Sequence, residues 1–157
     1  MKVILASLAG TILLTAGTTA DAADAPVVVR HPMGSFPISA AVEVPPGYAT
    51  IYLSGVGPDP ADKAVDTETQ TRSEIVKLSK ELTAMGLGLG DIVQMHVYLA
   101  PDPKLGKMDF PGMMKAYKEF FGTKAQPNLP ARAAFQVAGL ALPTMLVEIE
   151  AIAARKP

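Results

Sequence analysis

The chain has 157 residues, 14 basic against 15 acidic, for a formal charge of −1, and shows no basic run, which argues against nucleic acid as its main partner. It contains no cysteine, so disulfides, thiolate metal sites and a cysteine-linked lipid anchor are excluded. With 49% hydrophobic and 18% charged residues, it suits a globular subunit that buries surface against copies of itself.

The N-terminus reads as an export signal. Lys2 precedes an apolar run from Val3 to Leu14, and Ala20-Asp21-Ala22 supplies a small-residue cleavage pattern, so residues 1–22 are expected to be removed near Ala22. That run is shorter than the roughly 20 apolar residues of a membrane span. The mature chain is therefore expected in the periplasm or secreted, with no membrane attachment. Residues 23–36 read as an N-terminal arm in extended form, and 37–157 as a single domain.

Within that domain, Pro37–Val44 and Ala49–Gly55 are predicted strands around the turn Pro45–Tyr48, which suggests a hairpin. A loop dense in Pro and Asp follows. From Thr67 the period changes: Ile75, Leu78, Leu82 and Met85 mark one face of a helix, with Thr67 and Gln70 as its capping box and Gly86 and Gly88 as its stop. Asp91–Ala100 is a third strand, broken by Pro101 and Pro103. A second helix carries Phe110, Met113, Tyr117, Phe120 and Phe121 on its apolar side and ends near Gly122. Two closing strands, around Arg132 and around Glu148, read as another hairpin. The order ββαβαββ implies an α+β fold, a mixed sheet with two helices on one face. The other face is left for a second copy of the chain.

Few residues could carry chemistry. His31 and His96 are dispersed, and neither has a second metal ligand at useful spacing. No phosphate loop and no serine-nucleophile elbow occurs. The closing strands remain. Alternation groups Arg132 with Ala134 and Gln136, opposite Ala133, Phe135 and Val137; in the last strand Glu148 and Glu150 share the side opposite Val147, Ile149 and Ala151. Placing charge away from the helices puts Arg132, Glu148 and Glu150 together on the uncovered face. Two readings follow: a cross-strand ion pair, or an arginine fork for a substrate carboxylate beside a glutamate that orients water.

The segments LPARAAFQVAGL and VEIEAIA, QTRSEIVKL with GLGLGDIVQMHVYL, LSG at Leu53–Gly55 and AYKEFF together resemble the Rid (reactive intermediate deaminase, YjgF-like) proteins, from about Pro37 to Arg155. The resemblance implies a chorismate-mutase-like α+β subunit, a homotrimer with clefts between subunits. It also implies cofactor-independent hydrolysis of carboxylate-bearing enamines and imines to 2-keto acids and ammonia. Arg132 matches the family's carboxylate-binding arginine, Glu148 its water-positioning glutamate, Glu150 the second glutamate of the same run, and Ser54 and Gly55 its cleft-lining pair. The chain departs from the pattern at Ile38, where active members carry tyrosine, at Met114 for asparagine, and at Ala134, where cysteine is common. One extra residue lies near Ala141. A cleft so altered is more apolar and suits a carboxylate with a larger hydrophobic part. The alternative expectation is a non-enzymatic trimer that binds small carboxylates or acts as a chaperone. A ribonuclease reading, attached to some relatives, finds no basic groove or histidine pair.

Overall fold

A computed structural model describes residues 27–157; the expected export signal, residues 1–22, lies outside the described residues. Six strands form one sheet: β1 (Val29–Met33), β2 (Phe36–Glu43), β3 (Ala49–Val56), β4 (Ile92–Leu99), β5 (Ala131–Gln136) and β6 (Val147–Arg155). Helices α1 (Thr67–Ala84) and α2 (Phe110–Phe120) form the second layer. The α+β class and the two-helix layer are as the sequence implies, with one strand more. Residues of the arm form β1, which pairs antiparallel with β2. The Arg30 guanidinium ties this strand down by donating to the carbonyls of Gly90, Ile92 and Leu129 at 2.7–2.9 Å.

The sheet order is β1-β2-β5-β4-β6-β3. Neither expected hairpin forms. β5, β4 and β6 stand between β2 and β3, and β4 separates β5 from β6. β4 is the centre of the sheet, parallel to β5 and antiparallel to β6. A turn signal between two strands says that the chain reverses, not which neighbour each strand takes, and here the central position goes to the most apolar strand. Met95, Val97 and Leu99 of β4 are at most 1% exposed. They pack with Val147, Ile149, Ala151 and Ala153 of β6 against Ile75, Leu78 and Leu82 of α1 and Met113 and Tyr117 of α2.

The helix ends follow capping chemistry, one residue from the expected place. Asp66, not Thr67, caps α1: its carboxylate accepts from the Thr69 backbone N–H at 2.8 Å and Thr69 returns the bond. Gln70, expected to close that box, turns into the core instead. It donates to the Thr144 carbonyl at 2.8 Å and accepts from the Leu146 N–H at 2.7 Å, fixing the entry to β6. Met85 is the C-cap of α1 and Gly86, at φ +73°, takes the left-handed turn after it.

Candidate active site

The register of the sheet reverses the expected orientation of β5. Arg132 lies beside Met95 and Ala134 beside Val97, and parallel neighbours in register share a face. Met95 and Val97 point into the helix layer, so Arg132 and Ala134 do too. Phe135 lies beside Tyr98 on the open face, 47% exposed. The expectation failed because it sent charge outward and the aromatic ring inward, whereas local partners make an inward arginine tolerable. The Arg132 guanidinium stacks on the Tyr117 ring at 4.2 Å and lies 5.9 Å from the Phe36 ring. Its Nη2–H donates to the Met114 sulfur at 3.0 Å, and Nη1 faces the Met113 sulfur at 3.9 Å.

Thioethers are weak acceptors, and the Arg132 Nε–H is buried with no partner. Among the described residues no carboxylate pairs with this cation. Burial lowers its pKa, and the nearby Tyr117 acts in the opposite direction; the group stays protonated regardless. The Tyr117 hydroxyl is itself buried and unpartnered, and burial pushes its pKa up. Ile38 and Met114, each 7% exposed, belong to the same core cluster, with Ala134 packed against it. The arginine fork therefore sits among apolar side chains, its donors only weakly used. Beyond Ala131 the edge of β5 is open, because the β2–β5 ladder registers only at Ser39 opposite Ala131.

The glutamates lie where alternation puts them. Glu148 stands beside Tyr98, and Glu150 beside His96, both on the open face. Glu150 accepts from the Tyr98 hydroxyl at 2.6 Å and is bonded to His96 Nδ1 at 2.8 Å, and these bonds hold its pKa below the usual carboxylate range. It is occupied structurally. Glu148 instead lies across Gly55 at the register break between Leu53 and Val56 of β3. A Cβ at Gly55 would overlap the Glu148 carboxylate, so only glycine admits this pose. Ser54 is exposed beside it. The expected site residues thus form two groups: Arg132 with Ile38, Met114 and Ala134 inside the helix layer, and Glu148 with Ser54 and Gly55 on the open face. No cross-strand Arg–Glu pair forms, since β4 intervenes and the faces are opposite.

Two contributors escaped the sequence reading. Phe36 looked like linker, and Tyr117 looked like plain core. The signal for Tyr117 was a hydroxyl on the apolar side of a helix, which needs a reason to be buried.

A mixed six-stranded sheet with two helices on one face, an arginine under one side and a glutamate on the other, defines a class of small α+β subunits. The family model described as Endoribonuclease L-PSP matches residues 30–155, and the chain belongs to this family, the YjgF/Rid proteins. The mouse protein named 2-iminobutanoate/2-iminopropanoate deaminase is 36% identical over 132 residues, 82% of this chain and 88% of its own length. The rat protein of the same name is 36% identical over 112 residues, 69% of this chain and 74% of its own. The crystal structure of Escherichia coli TdcF with bound serine superposes with a TM-score of 0.58 at 29% identity, covering 83% of this chain and 99% of that one.

Proposed function

We propose that this chain is an exported imine/enamine deaminase, assembled as a homotrimer, whose active sites form between copies. The observation that carries this reading is Arg132: a buried cation, stacked on Tyr117, with its fork on two thioethers and no carboxylate partner among the described residues. A bidentate substrate carboxylate would replace those weak contacts with charge-assisted hydrogen bonds. The names of the mouse and rat relatives support an imine substrate, and the serine held by TdcF carries a carboxylate of the same kind.

In the proposed reaction a 2-imino acid, formed directly or by tautomerisation of its enamine, is held by Arg132. Glu148 orients a water for attack on the imine carbon, accepts its proton and returns a proton to nitrogen as ammonia leaves. One water is consumed, and one 2-keto acid and one ammonia form, with no cofactor. Because Arg132 and Glu148 occupy opposite faces of one sheet, a site containing both takes the arginine from one copy and the glutamate from the next. The open face, with Tyr52 77% and Phe135 47% exposed, supplies the surface that a second copy would cover. The apolar side chains around Arg132, Ile38, Met114 and Ala134 among them, favour imino acids with larger hydrophobic side chains.

The test is hydrolysis of a panel of imino acids, generated by an amino-acid oxidase, with wild type and Arg132→Ala side by side. Wild type is expected to speed hydrolysis, and the variant to lose about 100-fold in kcat/KM, about 2.7 kcal/mol. A wild type no faster than buffer across the panel would sink the enzyme reading.

The apolar replacements Ile38, Met114 and Ala134 favour a second reading, a trimer that binds small carboxylates without turning them over. It predicts Arg132-dependent binding of 2-keto acids by calorimetry with no catalysis. The ribonuclease of the family description finds less support. His31 and His96 sit on separate strands, each bonded to its own glutamate, Glu43 and Glu150.

A further inference from the structure

We propose that Tyr117 is a substrate-binding residue, its hydroxyl donating to the same carboxylate that the Arg132 guanidinium holds. The inference rests on the reading of Arg132 as the carboxylate anchor. Tyr117 lies in α2 and is 1% exposed, and its hydroxyl is buried without a hydrogen-bond partner among the described residues. An unpaired buried hydroxyl destabilises a fold, and phenylalanine would bury the same ring without that penalty. The chain uses phenylalanine one turn further on: Phe121, also 1% exposed, stacks on the Tyr117 ring with centroids 4.6 Å apart and planes 12° from parallel. Packing accounts for the ring of Tyr117 and leaves its oxygen unexplained.

That oxygen belongs to a cluster of poorly used donors. Among the described residues the Arg132 Nε–H is buried with no partner, Nη2–H reaches only the Met114 sulfur at 3.0 Å, and Nη1 faces the Met113 sulfur at 3.9 Å. Burial pushes the Tyr117 pKa up, so the phenol keeps its proton and can donate. Donors gathered around a cation, with thioethers as their strongest acceptors, complement a bound anion.

The spacing suits a single carboxylate. Arg132 Cζ lies 4.2 Å over the Tyr117 ring centre. A phenolic oxygen stands about 3 Å from its own ring centre, which puts the hydroxyl about 5 Å from Cζ. A carboxylate spans such a gap, one oxygen taking guanidinium N–H groups and the other the hydroxyl. The Met114 thioether, flexible and weakly held, gives way to this stronger acceptor. Tyr117 thereby adds a second donor to the anchor and strengthens the selection of acids over neutral carbonyl compounds.

The test is calorimetric titration of the full-length mature protein with phenylpyruvate, a 2-keto acid with a large apolar side chain, in wild type, Tyr117→Phe and Arg132→Ala. Tyr117→Phe should bind about tenfold more weakly while its urea midpoint equals or exceeds that of wild type, because an unpaired buried hydroxyl has been removed. A purely structural tyrosine would instead show a lowered midpoint and an unchanged affinity. As a second readout that needs no variant, the carbon-13 signal of Tyr117 Cζ in wild type should shift when phenylpyruvate saturates the protein. In the imine-hydrolysis assay the loss in Tyr117→Phe should appear in KM and not in kcat. Equal affinity of wild type and Tyr117→Phe, or a Cζ signal unmoved at saturation, overturns the proposal while leaving Arg132 as the anchor. Absence of phenylpyruvate binding to wild type overturns the anchor and this proposal with it. Binding that depends on both residues, in a chain inactive on every imine, would end the deaminase reading and uphold the role of Tyr117.

Discussion

Glu74 of α1, fully buried and with neither carboxyl oxygen hydrogen-bonded among the described residues, makes a statement about stability. In the unfolded chain it titrates in the ordinary carboxylate range, and in the folded chain only near pH 9. Between those values the unfolded chain has released a proton that the folded chain still holds, so rising pH favours unfolding. The stabilisation from this group is complete below the unfolded pKa and gone once pH passes about 9. By pH 7 the loss is on the order of 3 kcal/mol. Glu74→Gln has no proton to lose. Urea unfolding at pH 5 and pH 8 should therefore show a much smaller difference in the variant than in wild type, and an equal difference in both would contradict the buried, protonated state. At this same scale Arg132 and Glu148 were legible as site candidates because charge in apolar strands stands out, and Ser54 and Gly55 only through the family resemblance. Glu74 was not legible, since a glutamate among Arg72, Ser73 and Lys77 looks like a solvated helix face. Only the depth at which Gln70 anchors the helix reveals where position 74 points.

At the scale of elements, the strand and helix segments could be read from periodicity, while their pairing and one facing could not. Period-two alternation says which residues of β5 share a side, and it correctly grouped Arg132 with Ala134. It does not say which side is core. That was decided by β4, whose register places Arg132 beside Met95, and by α2, whose Tyr117 and two methionines make a buried guanidinium tolerable. The loop between β5 and β6 shows the same dependence on a distant element, because Gln70 of α1 satisfies its backbone. Gln70→Ala would leave the buried Leu146 N–H without an acceptor and is expected to cost about 2–3 kcal/mol. Asp66→Ala, which removes only the cap of the same helix, is expected to cost about 1 kcal/mol. Denaturant midpoints of the two variants compare the effects directly, and a cap loss larger than the Gln70 loss would contradict this account of the loop.

For the whole molecule, the sheet puts Arg132 and Glu148 on opposite faces, so under the proposed function one copy would hold two half-sites. The arginine half opens at the unpaired edge of β5, and the glutamate half lies on the open sheet face beside Tyr98 and Gly55. The resemblance already implies clefts between subunits; under the proposed function the opposite facing of Arg132 and Glu148 adds that each cleft would draw the two from different copies, and the open, partly aromatic face has the character of a surface that copies share. The most direct measurement is complementation. Arg132→Ala and Glu148→Ala are each expected to be inactive in imine hydrolysis. Unfolded together in equal amounts and refolded, they should form mixed trimers, confirmed by light scattering and mass spectrometry. One cleft of the three in each mixed trimer, about a quarter of all clefts in the refolded population, would hold both native residues. Recovery of about a quarter of wild-type activity is the predicted result; mixed trimers as inactive as either variant alone, or a wild type that is monomeric and fully active, would contradict a site built between copies.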